Sequence, residues 1–248
     1  MLATTIAAAL AVIAPLPQST SELNGATPYS QVSTASSQPR VLNTDDSIAF
    51  RSGLSAARAR DVLRTQDAIA RIGDPTARKL VEWALVDTSA PQLSFDELAR
   101  DQRALAGWPR VEARRSAGEI ALDRSGASAD TVLGFFDGTA PTTVQGAIAL
   151  AGALEQKGRT AEARDLIVQW WRTQSFEADD QTRILNRWSG WLSQADHEAR
   201  LNMLLLGPHG PATRAMVSLV SPERAAIANT VMGLRSAYSP DATLASLS

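Results

Sequence analysis

From Leu54 to Tyr238 the apolar positions recur at three-and-four spacing, and residues that end or restart helices interrupt them roughly every 12 to 20 positions. No alternating strand pattern competes. Leu54, Val62, Leu63, Ile69 and Ile72 mark a first helix closed by Gly73. Asp74-Pro75 then supplies an N-cap and a first-turn proline for a helix carrying Leu80, Val81, Trp83, Ala84 and Leu85. Ser94-Phe95-Asp96-Glu97 spells a capping box, and Leu98 and Leu105 give that helix its buried face. Gly107-Trp108-Pro109 closes it. The next helix, Pro109 to about Arg124, is dense in charge, with Val111, Ile120 and Leu122 as its apolar content. It is expected to be half exposed, with carboxylates such as Glu119 solvated. Further helices are predicted over 129–136, 142–156, 160–174, 178–192, 194–206, 211–219 and 222–238. Gly138, Gly158, Gly207 and Gly210 are expected as left-handed stops, and Ser193 and Ser221 as N-caps.

About ten antiparallel helices joined by short turns make an all-α fold. Between Thr142 and Gln174, Ala147, Leu150, Ala151 and Leu154 face Ala161, Ala163, Leu166, Ile167 and Trp170 across Gly158-Arg159. This is the small-residue packing of a tetratricopeptide-like hairpin. The period of about 34 residues does not recur, so the expected architecture is an irregular α-superhelix, or solenoid, of antiparallel hairpins.

The first 50 residues differ, holding only Glu22, Arg40, Asp45 and Asp46 as formal charges. Leu2 to Leu16 is an apolar run of the length of a secretory h-region, although no Lys or Arg precedes Arg40. Gln18 to Pro39 is too polar to bury a core. The expected layout is a signal peptide over 1–21, a disordered linker over 22–50, a helical domain over 51–238 and a disordered tail over 239–248. Twenty-four Lys and Arg are interspersed with 26 Asp and Glu, for a net charge of −2, so a phosphate-backbone partner has no electrostatic basis. The absence of cysteine excludes disulfides, thiolate metal sites and cysteine nucleophiles. No apolar run is long enough to predict an integral membrane span.

Familiar catalytic patterns fail on inspection. His197-Glu198 begins the zinc-protease spelling, but Leu201 stands where the second imidazole is needed. Ser193 lies one turn before His197 without a nucleophile elbow. Gly152 to Gly158 lacks the Lys-Ser/Thr ending of a phosphate loop. Glu177, Asp179 and Asp180 read as the ordinary acidic complement of a helix start. Trp170, Trp171, Trp188 and Trp191 have faces suited to sugar rings, but at helical spacing they read first as interhelical packing. Glu119 and Glu155 are the acids a glycan-cleaving site would draw on.

Five segments occur in a telling order: Leu80-Val81-Glu82-Trp83-Ala84-Leu85; Gly107-Trp108-Pro109 with Arg114-Arg115 and Glu119; Gly158-Arg159-Thr160-Ala161-Glu162-Ala163; Trp170-Trp171-Arg172; and Ala195-Asp196-His197-Glu198-Ala199-Arg200-Leu201. Together they resemble the N-terminal superhelical (U-shaped) domain of soluble lytic murein transglycosylases of the alphaproteobacterial type. The resemblance implies a periplasmic protein of a family that cleaves the MurNAc-GlcNAc β-1,4 bond of peptidoglycan, forming a 1,6-anhydromuramoyl product. In that family the chemistry resides in a C-terminal lysozyme-like domain bearing a Glu-Ser dipeptide and a Gly-Leu-Met-Gln-type segment, neither of which occurs here. The resemblance therefore implies a non-catalytic scaffold portion, with no catalytic, cofactor-binding or metal-ligating residue assigned and no cofactor. Its expected partners are peptidoglycan glycan strands or a C-terminal catalytic domain. The weak finish from Ser239-Pro240-Asp241, where the family's chain continues, reads as a truncation. The alternative is a tetratricopeptide-like adaptor binding a protein partner.

Overall fold

Local capping chemistry sets most helix boundaries. In the computed structural model, residues 41–237 are described and form one helical unit from Leu42 onward. The expected signal peptide, most of the linker and the tail lie outside them. Among the described residues there are twelve α-helices and no strand. They are α1 (Thr44–Arg58), α2 (Val62–Arg71), α3 (Pro75–Ser89), α4 (Phe95–Ala104), α5 (Val111–Ser125) and α6 (Ala129–Phe136). There follow α7 (Val144–Gln156), α8 (Thr160–Thr173), α9 (Ala178–Trp188), α10 (Gln194–Leu206), α11 (Pro211–Met216) and α12 (Pro222–Ala237). None of these is long and apolar enough to cross a membrane.

The predicted caps form. Asp74 accepts from the amides of Thr76 and Ala77 with Pro75 in the first turn, and Ser94 and Glu97 close a reciprocal box. Ser193 does the same with Asp196, and Ser221 accepts from the amide of Arg224. Three expectations need correction. Helix begins at Thr44, so residues 44–50 belong to α1 and not to a linker; Asn43 caps it by accepting from the Asp46 amide. The single helix expected from Leu54 to Ile72 is two, because Arg60 turns left-handed (φ 56°) and Asp61 caps a new start at Val62. Gly138 and Gly158 are left-handed, but Gly207 (φ −97°) and Gly210 (φ −106°) are not. Both run extended, Gly207 ending α10 and Gly210 opening α11.

Side chains tie most helices to the next but one. Asp46 on α1 accepts from the amides of Gly73 and Asp74 at the start of α3. Gln66 on α2 donates to Glu97 on α4, and Asp87 on α3 pairs with Arg110 at the start of α5. Phe95 on α4 meets Phe135 on α6 edge to face at 5.5 Å. Gln145 on α7 donates to Asp180 on α9, and Arg172 on α8 pairs with Asp196 on α10. Gln181 on α9 donates to the Ala212 carbonyl of α11, and Glu198 on α10 pairs with Arg224 on α12. Apolar residues fill the space between. Ala49, Ile72, Ala77 and Val81 form a small first cluster. Leu85, Leu98, Leu105, Leu122 and Phe136 anchor a second, and Ile167, Trp171, Ile184, Trp188 and Leu201 a third and larger one. Leu133 and Leu150 touch both of the last two, so the core is continuous across them.

Candidate functional site

A polar groove of about 320 Å³ runs between α5 and α6 on one side and α7 and α9 on the other. Its floor is made by small residues of α7, Ala149, Gly152 and Ala153, and its walls carry Asp123, Gln156, Arg183 and Arg187. Gly152 lets the Arg187 guanidinium lie across it: a Cβ there would come to 3.0 Å from that group, which would have to shift. Arg187 is held at 2.9 Å by Glu155, and its guanidinium lies 4.7 Å from the Trp188 ring centroid. Trp188 Nε1 donates to the same Glu155 carboxylate at 3.3 Å. Arg183 bridges Asp123 at 2.8 Å and Asp180 at 3.1 Å. Those two carboxylates hold the guanidinium above its ordinary range, Asp123 contributing most. The result is a fixed array of amide and guanidinium donors and carboxylate acceptors over a small-residue floor.

The aromatic candidates divide. Trp171 and Trp188 are fully buried, which is the packing role. Trp170 and Trp191 are half-buried, and Trp191 stacks on Trp188 at 5.7 Å and 21° close to the Arg187 end of the groove. Glu155 is accessible, but its carboxylate is committed to Arg187 and Trp188. Glu119 contradicts its expected solvation. It is completely buried and accepts from the amides and hydroxyls of Thr142 and Thr143 at 2.7–3.1 Å, with Arg115 at 3.3 Å. These partners saturate its oxygens, and its work is to anchor the start of α7. Val111 and Ile120 of α5 face outward, while Arg114 and Glu119 face inward.

The histidine region is structural as well. Ser193 and Asp196 are engaged in the α10 capping box, so no hydroxyl is prepared for attack. His197 packs edge-on against Trp171 at 5.5 Å, and burial lowers its pKa against the opposing pull of Asp196. Arg200, fully buried beside it, donates to Gln181 and to the carbonyls of Trp171 and Gln174 that end α8. Its guanidinium lies 3.8 Å from the Phe176 centroid, and burial pushes its pKa down to about 10, so it stays charged. Gly152 to Gly158 spans the end of α7 and the turn into α8. Asp180 is taken by Gln145 and Arg183, and among the described residues no three His, Asp or Glu side chains converge as a metal site would require.

Sequence reasoning missed Asp123, Arg183 and Arg187. Asp123 and Arg183 meet from 60 positions apart, a distance at which no periodicity carries a signal. Only the adjacency of Arg187 and Trp188 hinted at the cation-π contact. No protein family, no curated protein and no solved structure gives a match to the chain.

Proposed function

We propose that this chain is the non-catalytic helical scaffold portion of a periplasmic lytic transglycosylase, an irregular superhelix of antiparallel hairpins that guides peptidoglycan strands and does not cleave them. The observation that carries the reading is the tying of most helices to the next but one, an arrangement that a stack of hairpins would give. The ordered motifs from Leu80 to Leu201 support it, as does a groove whose paired donors and acceptors suit N-acetylated sugars. Glu119 and Glu155, the acids open to glycan chemistry in the sequence, are both engaged by fixed partners. The test is co-sedimentation with purified murein sacculi. Retention that soluble glycan fragments compete away is expected, with no release of anhydro-sugar product. Failure to sediment would overturn the reading.

A second reading, a tetratricopeptide-like adaptor for a protein partner, draws on the α7–α8 hairpin. There Ala147, Ala151 and Ala163 are fully buried and the two helices approach closely. It predicts no retention on sacculi.

A further inference from the structure

The connection from α10 to α11 is Gly207-Pro208-His209-Gly210, with both glycines extended (ψ −165° and −168°). It leads into a helix of only six residues. This four-residue connection separates α10 from α11 before α12 returns to α10, and beside it lies a cleft of about 690 Å³, the size of a small-molecule site. Val217 and Met232 supply apolar wall. The polar lining is His209, Arg214, Asn229 and Arg235, and among the described residues no Asp or Glu contributes.

Arg214 and Arg235 are exposed along the cleft. Arg159, Arg172, Arg183, Arg187 and Arg224 pair with carboxylates, whereas Arg214 and Arg235, like several other arginines, have no carboxylate partner among the described residues. Arg235 uses one N–H on the Gly207 carbonyl at 2.8 Å and keeps the others. His209 Nε2 lies 3.1 Å from the Leu205 carbonyl, which only accepts, so Nε2 donates there and orients the ring at the edge of the cleft. Two uncompensated guanidinium groups in one concave wall focus a positive potential into the cleft.

We infer that this cleft binds a small organic carboxylate with an apolar body. The carboxylate sits on the guanidinium forks of Arg214 and Arg235, and the body lies against Val217 and Met232. A hydrated inorganic anion would gain nothing from the apolar wall, and a neutral isostere nothing from the guanidinium groups. The inference stands independently of the scaffold reading.

The experiment is an NMR titration of the full chain with sodium hexanoate, inorganic phosphate and hexanamide at matched ionic strength. Hexanoate is expected to give saturable shifts at His209, Arg214, Asn229 and Arg235 with a Kd of about 1–10 mM. Phosphate should bind about tenfold more weakly and hexanamide should leave these signals unmoved. Arg214→Gln, at a side chain with no partner among the described residues to lose, should weaken hexanoate about tenfold while leaving the remaining spectrum intact. Shifts that stay linear with hexanoate, equal binding of phosphate or hexanamide, or an unchanged affinity in Arg214→Gln would each overturn the proposal.

Discussion

Asp101 on α4 is half-buried with Glu82 of α3 beside it. Burial first, and the Glu82 charge second, push its carboxyl up from 3.8 to about 6. The folded state therefore holds this proton more tightly than the unfolded chain. The stability Asp101 contributes is full below about pH 4 and is lost as pH rises through about 6. Asp101→Asn is expected to raise unfolding free energy at pH 7 by about 1–2 kcal/mol, after allowance for the water the group still meets. At about pH 3.5 it should change nothing. Urea denaturation at the two pH values checks this, and an equal effect at both would refute it. Trp171 and Arg200 show the opposite economy, in which charge is kept inside because helix-ending carbonyls and aromatic faces replace water.

At the scale of the element, α7 depends on a side chain from α5. Thr143 caps the helix locally by accepting from the Gly146 amide at 3.0 Å, but the amides of Thr142 and Thr143 are satisfied by Glu119. Gly146 is small because a Cβ there would come within 2.4 Å of the Glu119 carboxylate. Glu119→Ala is expected to destabilise the protein by about 2–3 kcal/mol, since it removes a fully buried charged acceptor from the part-buried amides of Thr142 and Thr143. The urea midpoint measures it, and a loss below about 1 kcal/mol would mean that the Thr143 cap alone suffices. Helix ends with local chemistry, such as Ser94 with Glu97, were legible in the sequence. The break at Arg60 was not, because arginine is a helix former by propensity and only the Asp61 cap and packing on α3 place a turn there.

Across the whole molecule the three apolar clusters differ in the surface each side chain removes from water. The first rests on Ala49, Ile72, Ala77 and Val81, whereas the third contains Trp171, Trp188, Phe176 and several leucines and isoleucines. Larger side chains bury more apolar area and stabilise in proportion. Amides of α1 and α2 are therefore expected to exchange hydrogen through openings about 2 kcal/mol or more easier than those of α7 to α10. Native-state hydrogen exchange resolves this, and uniform protection along the chain would contradict it. The groove of Asp123, Arg183 and Arg187 lies toward the protected end, so its donors are held by the most stable part of the fold.

The sequence by itself determined the all-α class and most helix boundaries. Amphipathic spacing, N-caps and proline positions act over one or two turns, and Asp74-Pro75 and Ser193 needed nothing distant to work. Only the tertiary structure decided which charges are inside. Glu119, Arg114 and Arg200 look like surface residues in a charged run, and they are buried because partners on other elements replace water: the Thr142 and Thr143 amides for Glu119, the Leu105 carbonyl at the end of α4 for Arg114 and the α8 carbonyls for Arg200. The groove and the cationic cleft were equally unreadable. The groove joins side chains of α5, α6, α7 and α9, the cleft joins the α10–α11 connection to α11 and α12, and no local rule carries the relative placement of two helices.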